Sequence, residues 1–277
     1  MQSRHALTLL LSRLTLTLGV LVPLAFLGTQ ALHTSAATPA FIRVIHASPA
    51  VGTADVFVDG TKLLSSFAFG SVTDYVPIPA GPHKVQIALV GKGIGAAAIT
   101  QTLAVQPGVV YTAAAIGTQA TGLSIEVFLD NNFIAAGQAK TRIYNLAPNA
   151  GSFSVSAGGR VLINQVSYQQ ASSYLSLPAG PYTFMVTAPS TNTTLPLAQT
   201  LGKNTVMSIF SVGLVNGTPK IELVPAQVSG VPGVPGTGSD PRPLTDSVQP
   251  IASWLLPLLA SVFLCTGLIL RRRVAPR

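Results

Sequence analysis

Five side chains able to do acid–base or metal chemistry stand between residues 46 and 83: His46, Asp55, Asp59, Asp74 and His83. Two imidazoles and three carboxylates make a donor set for a borderline divalent cation, and the same groups could move protons in general acid–base catalysis. His46, Asp55 and His83 could do either only with their side chains within ~3–5 Å of one point. The remaining sequence offers no nucleophile elbow, no C-x-x-C and no H-E-x-x-H. The one cysteine, Cys265, lies in a C-terminal apolar run, so neither an intrachain disulfide nor a thiolate metal site can form.

The chain tests this set against itself. Residues 43–87 and 142–186 align without a gap at a spacing of 99, pairing Arg43 with Arg142, Gly52 with Gly151, Val56 with Val155 and Tyr75 with Tyr174. The run Pro79-Ala80-Gly81-Pro82 returns as Pro178-Ala179-Gly180-Pro181. Further on, Gln101-Thr102-Leu103 matches Gln199-Thr200-Leu201, Gly117 matches Gly213, and Ile125-Glu126 matches Ile221-Glu222. A period near a hundred residues is that of a domain and too long for a solenoid unit. At the same spacing the five titratable residues become Asn145, Ser154, Gly158, Ser173 and Tyr182, while glycines, prolines and apolar positions persist. What the copies share is therefore scaffold, and a site using His46, Asp55, Asp59 and His83 would be confined to copy one.

Each of these residues also has a local reading. Asp59 heads a hairpin turn and tolerates left-handed backbone. Asp55 opens a strand and can close a turn through its carboxylate. His46 ends a strand and hydrogen-bonds the neighbouring loop, and His83 faces solvent. These readings predict no enzyme, no cofactor and no metal. Arg43 and Arg142 recur on an otherwise apolar strand and read as arginines at a sheet edge, paired to an acidic neighbour.

The elements that would position these groups are strands. In copy one, Phe41–Ala47, Ala54–Val58, Lys62–Ser65, Tyr75–Ile78 and the alternating Val85, Ile87 and Leu89 precede Val109–Ile116 and Leu123–Leu129. Asp59-Gly60 predicts a tight hairpin, and Pro79–Pro82 and Pro107-Gly108 predict turns. About seven short strands with regular turns, and no amphipathic helix between residues 40 and 225, predict an all-β sandwich in each copy.

The segments Arg43-Val44-Ile45-His46-Ala47-Ser48-Pro49 and Asp55-Val56-Phe57-Val58-Asp59-Gly60, with Tyr75 and Pro79-Ala80-Gly81, resemble the domain of unknown function 4397. The resemblance covers residues 41–131 well and 140–226 more loosely, since Asn145-Leu146-Ala147-Pro148 replaces H-A-S-P and D-V-x-V-D-G is lost. It implies two tandem immunoglobulin-like or transthyretin-like β-sandwiches in an exported bacterial protein, and it carries no activity.

The ends of the chain specify its address. Residues 1–37 read as a signal peptide: Arg4 and Arg13 precede the apolar Leu14–Leu27, and Ser35-Ala36-Ala37 suits signal peptidase cleavage after Ala37. Residues 251–270 form an uncharged run of 20, enough to cross ~30 Å of hydrocarbon as a transmembrane helix. Arg271-Arg272-Arg273 follow and hold the tail 271–277 in the cytoplasm, which leaves the repeats on the extracellular face of the cytoplasmic membrane. Residues 227–250 are a Pro/Gly-rich stalk. Within it Val234-Pro235-Gly236-Thr237-Gly238 resembles the L-P-x-T-G signal of sortase substrates, with valine in place of leucine. That resemblance implies cleavage between Thr237 and Gly238 and linkage of Thr237 to the cell wall, as an alternative to retention of the helix.

The net charge of +8 belongs mostly to these ends, because residues 38–250 hold ten Lys/Arg against eight Asp/Glu. No cationic cluster exists to track phosphates, so nucleic acid is excluded as a partner. The expectation is a non-catalytic surface module for adhesion, envelope architecture or matrix contact, with an unknown extracellular ligand. Its alternatives are a small-ligand or glycan module and a metal-dependent enzyme confined to copy one.

Overall fold

The computed structural model describes residues 38–230. The signal segment 1–37 with Ala37, the stalk positions Val234, Pro235, Thr237 and Gly238, the run 251–270 and the tail 271–277 lie outside the described residues. Among the described residues no helix is long and apolar enough to cross a membrane. They form an all-β body of four sheets.

Copy one contributes β1 (Ala40–His46), β2 (Ala54–Val58), β3 (Thr61–Phe67), β4 (Val76–Ile78), β5 (Gly81–Leu89), β6 (Ala97–Val105), β7 (Val110–Thr118) and β8 (Gly122–Asp130). One sheet runs β3-β2-β5-β6 and the other β4-β1-β7-β8, with β1 and β7 parallel and the remaining pairs antiparallel. The β2–β3 hairpin turns at Asp59-Gly60, with φ of 51° and 83°, as that dipeptide favours. β6 is an eighth strand beyond the expected seven. Its alanine-rich start has low strand propensity, and pairing along all of β5 supplies what propensity does not.

Copy two repeats the plan with β9 (Gln138–Asn145), β10 (Phe153–Ala157), β11 (Arg160–Val166), β12 (Gln170–Ala171), β13 (Leu175–Pro178), β14 (Gly180–Ala188), β15 (Thr193–Leu201), β16 (Thr205–Val212) and β17 (Glu222–Ser229). Its sheets run β11-β10-β14-β15 and β12-β9-β16-β17, with β13 also on β9 and with β9 and β16 parallel. Gly117 and Gly213 do correspond: φ is 96° and 90°, and a Cβ would lie 1.8 Å from the Gly122 carbonyl oxygen or 2.4 Å from that of Lys220. Two other matches slip by two residues. Gly81 pairs with Val105 as Gly180 does with Leu201, so Leu201 stands for Val105 and not Leu103. Ala115 pairs with Ile125 as Ser211 does with Leu223, so Leu223 stands for Ile125 and not Ile221. An even slip keeps the same face toward the core, which is why the pattern in the sequence concealed it.

Each copy has its own core. In copy one Ile42, Val56, Val85, Ile87, Leu103 and Ile125 meet between the sheets, and in copy two Ile143, Phe153, Val155, Phe184, Val186 and Ile209 do. A third core lies between the copies. Ile45, Ala114, Ile116 and Phe128 of copy one pack against Tyr144, Leu146, Phe210 and Val212 of copy two. The four sheets thus stack as layers, and the two middle sheets are covered on both faces. β7 and β16 are accordingly buried almost end to end.

Arg43 and Arg142 are not at sheet edges: β1 lies between β4 and β7, and β9 between β12 and β16. Their faces are apolar and are covered by the other copy, so Arg43 is buried to 1% exposure. The carboxylate of Asp130, 0% exposed, answers both arginines. Arg43 Nη2 lies 3.6 Å from Asp130 Oδ2, and Arg142 Nη1 lies 3.3 Å from Oδ1. Tyr75 donates to Oδ2 at 2.6 Å, Tyr144 to Oδ1 at 2.5 Å and Tyr174 to Oδ1 at 3.3 Å, and the Thr112 hydroxyl also donates to Oδ2. Arg43 Nε donates to Thr112 Oγ1 at 2.8 Å and Nη2 to Ser208 Oγ at 2.7 Å. The Arg43 guanidinium sits 4.7 Å from the Tyr75 ring and 5.0 Å from Phe210, and that of Arg142 sits 4.9 Å from Tyr174. Burial, with the Asp130 charge beside them, pushes the Tyr75 and Tyr144 phenols above their usual range, so both stay protonated donors.

Breaking a buried ion cluster by neutralising one member leaves charge unpaired in low dielectric. Asp130→Asn should therefore lower the unfolding free energy by roughly 3–5 kcal/mol. Urea denaturation checks this, and a loss under about 1 kcal/mol would mean that the cluster behaves like a surface pair.

Candidate functional site

The strands carry the candidate residues of copy one to separate places. Among the described residues, no group of three or more His, Cys, Asp or Glu is arranged to hold a metal ion. His46 closes β1 and is buried, with Phe67 stacked on its ring and Phe69 edge-on to it. Its Nε2 lies 2.8 Å from the Gly52 carbonyl oxygen, which can only accept, so Nε2 carries the proton. Burial holds its pKa below the ordinary histidine value.

Asp55 sits at the β2–β3 bulge. Its carboxylate accepts from Lys62 Nζ at 2.7 Å, from the Ser66 N–H at 3.1 Å and from the Gly91 N–H at 3.4 Å. The Lys62 bond in particular holds the carboxyl below its usual pKa range. This set fixes Ser66 in its left-handed conformation, φ 52°. Asp74 follows Thr73, whose hydroxyl takes the Val44 N–H and donates to the Asp74 carbonyl, and it joins none of the other four.

Asp59 and His83 are the one pair of the set that meets. Asp59 Oδ2 is 2.6 Å from His83 Nδ1, and Oδ1 accepts from the Lys84 N–H at 2.8 Å. His83 Nε2 is 2.8 Å from the Pro79 carbonyl oxygen. His83 is therefore not solvent-facing: it is 9% exposed, drawn down over the β4–β5 turn by two acceptors. Burial works against its charge, but the Asp59 carboxylate and the Pro79 carbonyl outweigh it, and the pKa lies above the ordinary value. The His83 bond in turn lowers the Asp59 pKa. While it is protonated, with both ring nitrogens donating, His83 has no lone pair with which to accept a proton from a substrate.

Copy two explains the substitutions. Asn145 replaces His46 and donates Nδ2–H to the Gly151 carbonyl at 2.7 Å, the counterpart of Gly52. Tyr182 replaces His83 and donates its hydroxyl to the Pro178 carbonyl at 3.1 Å, the counterpart of Pro79. Ser172 replaces Thr73, takes the Ile143 N–H and donates to the Ser173 carbonyl. In each case the residue type changes and the donated bond survives. Three of the six tyrosines, Tyr75, Tyr144 and Tyr174, converge on Asp130. Sequence reasoning missed Asp130 because it has no duplicate: Val110 pairs with Asp130, while Val206 pairs with Val228. The available signal was the near-unbroken apolar character of Val109–Ile116 and Val206–Val212, which points to strands covered on both faces.

Two predictions follow from these bonds. His46→Asn, which reproduces the copy-two solution, should cost about 1 kcal/mol less than His46→Ala in chemical denaturation, and equal costs would remove the donor role. The Asp59–His83 pair should be pH-dependent. Its His83 part is fully present below the ordinary histidine value of about 6.5 and is lost as pH rises through the raised folded value. Its Asp59 part is present above about 3.9 and is lost as pH falls through the lowered folded value. His46 acts oppositely, losing stability as pH falls below about 6.5, and cancels when variants are compared. Asp59→Asn should therefore destabilise more at about pH 5.5 than at about pH 8.5, and an equal loss at both would contradict the pairing.

No curated protein matches the chain. The family model described as "Domain of unknown function (DUF4397)" matches it twice, at residues 40–156 and 145–233. With most of the chain covered by two copies of that model, the protein belongs to the DUF4397 family.

Proposed function

We propose that the protein is a non-catalytic surface module for adhesion, envelope architecture or matrix contact. Residues 1–37 direct export through signal peptidase. Residues 251–270 then hold the chain in the membrane, or sortase transfers Thr237 to the cell wall, and the Pro/Gly-rich stretch up to residue 250, which starts after β17 and not at residue 227, carries the repeats outward. The charge asymmetry supports this topology: basic residues gather at the two ends, and the middle is nearly neutral.

The observation that carries the non-catalytic reading is the commitment of copy one's titratable side chains to its own backbone. His46, Asp55, Asp59 and His83 each hold a loop or bulge, and copy two fills two of these roles with groups that do not titrate near neutral pH. The parallel pairing of β1 with β7, and of β9 with β16, each inside an otherwise antiparallel sheet, supports an immunoglobulin-like or transthyretin-like character for each copy. The shared core makes the displayed object one block and not two beads on a string.

An epitope tag inserted after Ala120, in the exposed β7–β8 turn, provides the test. Antibody should label the tag on intact cells, and intact-mass analysis should give a chain starting at Thr38. A tag reached only after cell lysis would refute display.

A further inference from the structure

We propose that copy two carries a groove for an uncharged saccharide, built around the bulge of β11. Two adjoining clefts of about 450 Å³ and about 480 Å³ share Asn164 and Gln165. Ser167, Gln170, Ser173 and Tyr174 line the first, and Ser152, Ser154 and Ser190 the second. Both volumes fall in the range of small-molecule sites. No charged side chain lines either cleft.

Comparison with copy one separates this groove from the shared scaffold. There Asp55 fills the corresponding place, tied to Lys62 and to the Ser66 and Gly91 N–H groups. At the spacing of 99 residues the counterparts of Asp55 and Lys62 are Ser154 and Val161, so copy two has neither ion to fill it. The short Ser65, Ser66 and Ser71 become Asn164 and Gln165, which line both clefts, and Gln170, which lines the first.

The lining dictates the ligand class. An amide offers one acceptor oxygen and two donor hydrogens, and a serine hydroxyl offers both roles. Together they match the donor–acceptor pairs of adjacent sugar hydroxyls. No cationic side chain lines either cleft for an anionic ligand, and polar groups dominate the first cleft, whereas the second also presents Phe153 and Pro189. The assignment rests on the display reading, since such saccharides are met outside the cell.

The test is isothermal titration of the full chain with cellotriose, chitotriose and maltotriose. At least one should saturate, with an affinity that changes less than twofold when salt is raised, because no charge takes part. Asn164→Ala combined with Gln170→Ala should weaken binding at least tenfold while leaving the thermal midpoint unchanged. Ser65→Ala with Ser71→Ala, the same positions in copy one, should leave binding intact. Failure of all three probes to saturate, or undiminished binding by the Asn164/Gln170 variant, overturns the groove. A surface-accessible tag without saccharide binding removes the groove alone, whereas binding by a chain whose tag is reached only after lysis removes the display reading alone.

Discussion

A carboxylate with no access to water must be answered by charge or hydrogen bonds, and Asp130 is answered from both copies at once. Arg43 and Tyr75 come from copy one, and Arg142, Tyr144 and Tyr174 from copy two. Thr112 and Ser208, which occupy equivalent places, tie the Arg43 guanidinium to both middle sheets. Separating the copies would return two guanidiniums and three phenols to water, but it would also expose Ile45, Ile116, Phe128 and Phe210. The apolar layer supplies the drive for the association. The ion cluster ties the two middle sheets together, because it brings one arginine from each copy to a single carboxylate.

This constraint changes what the duplication means. Two copies on a flexible connection could diverge independently. Two copies sharing a core cannot, and their divergence has kept the bonds while releasing the residue types. Histidine gives way to asparagine opposite a glycine carbonyl, and histidine to tyrosine opposite a proline carbonyl. What must persist is a donor at a given point in space, and several side chains provide one. Where copy two abandons a bond altogether, at the Asp55–Lys62 pair, amide side chains gather around the opening.

Most strands were legible from local signals. Asp59-Gly60 specifies its hairpin through backbone preference, and the alternation at Val85 and Ile87 marks a face turned to the core. β6 escaped notice because Ala97 and Ala98 carry little strand preference, and its pairing with β5 is a tertiary fact. The arginines were misread for a related reason. A cation on an apolar strand suggests an edge when one sheet is considered alone, and its true setting appears only when a second sheet covers that face. The local role of Asp55 was readable because Lys62 and Ser66 lie near in sequence, and that of Asp59 only as far as its turn backbone, since its carboxylate reaches His83 and Lys84. That of His83 was not, since its burial depends on the turn at Pro79 folding back over it.

The central claim is that the two copies are one cooperative body held by a shared interior. Native-state hydrogen exchange tests it most directly, reading the opening free energy of the amides in β1, β7, β9 and β16 across increasing denaturant. The account predicts that the slowest amides of both copies converge on a single global value and exchange together. Two separate plateaus, one for each copy, would contradict it.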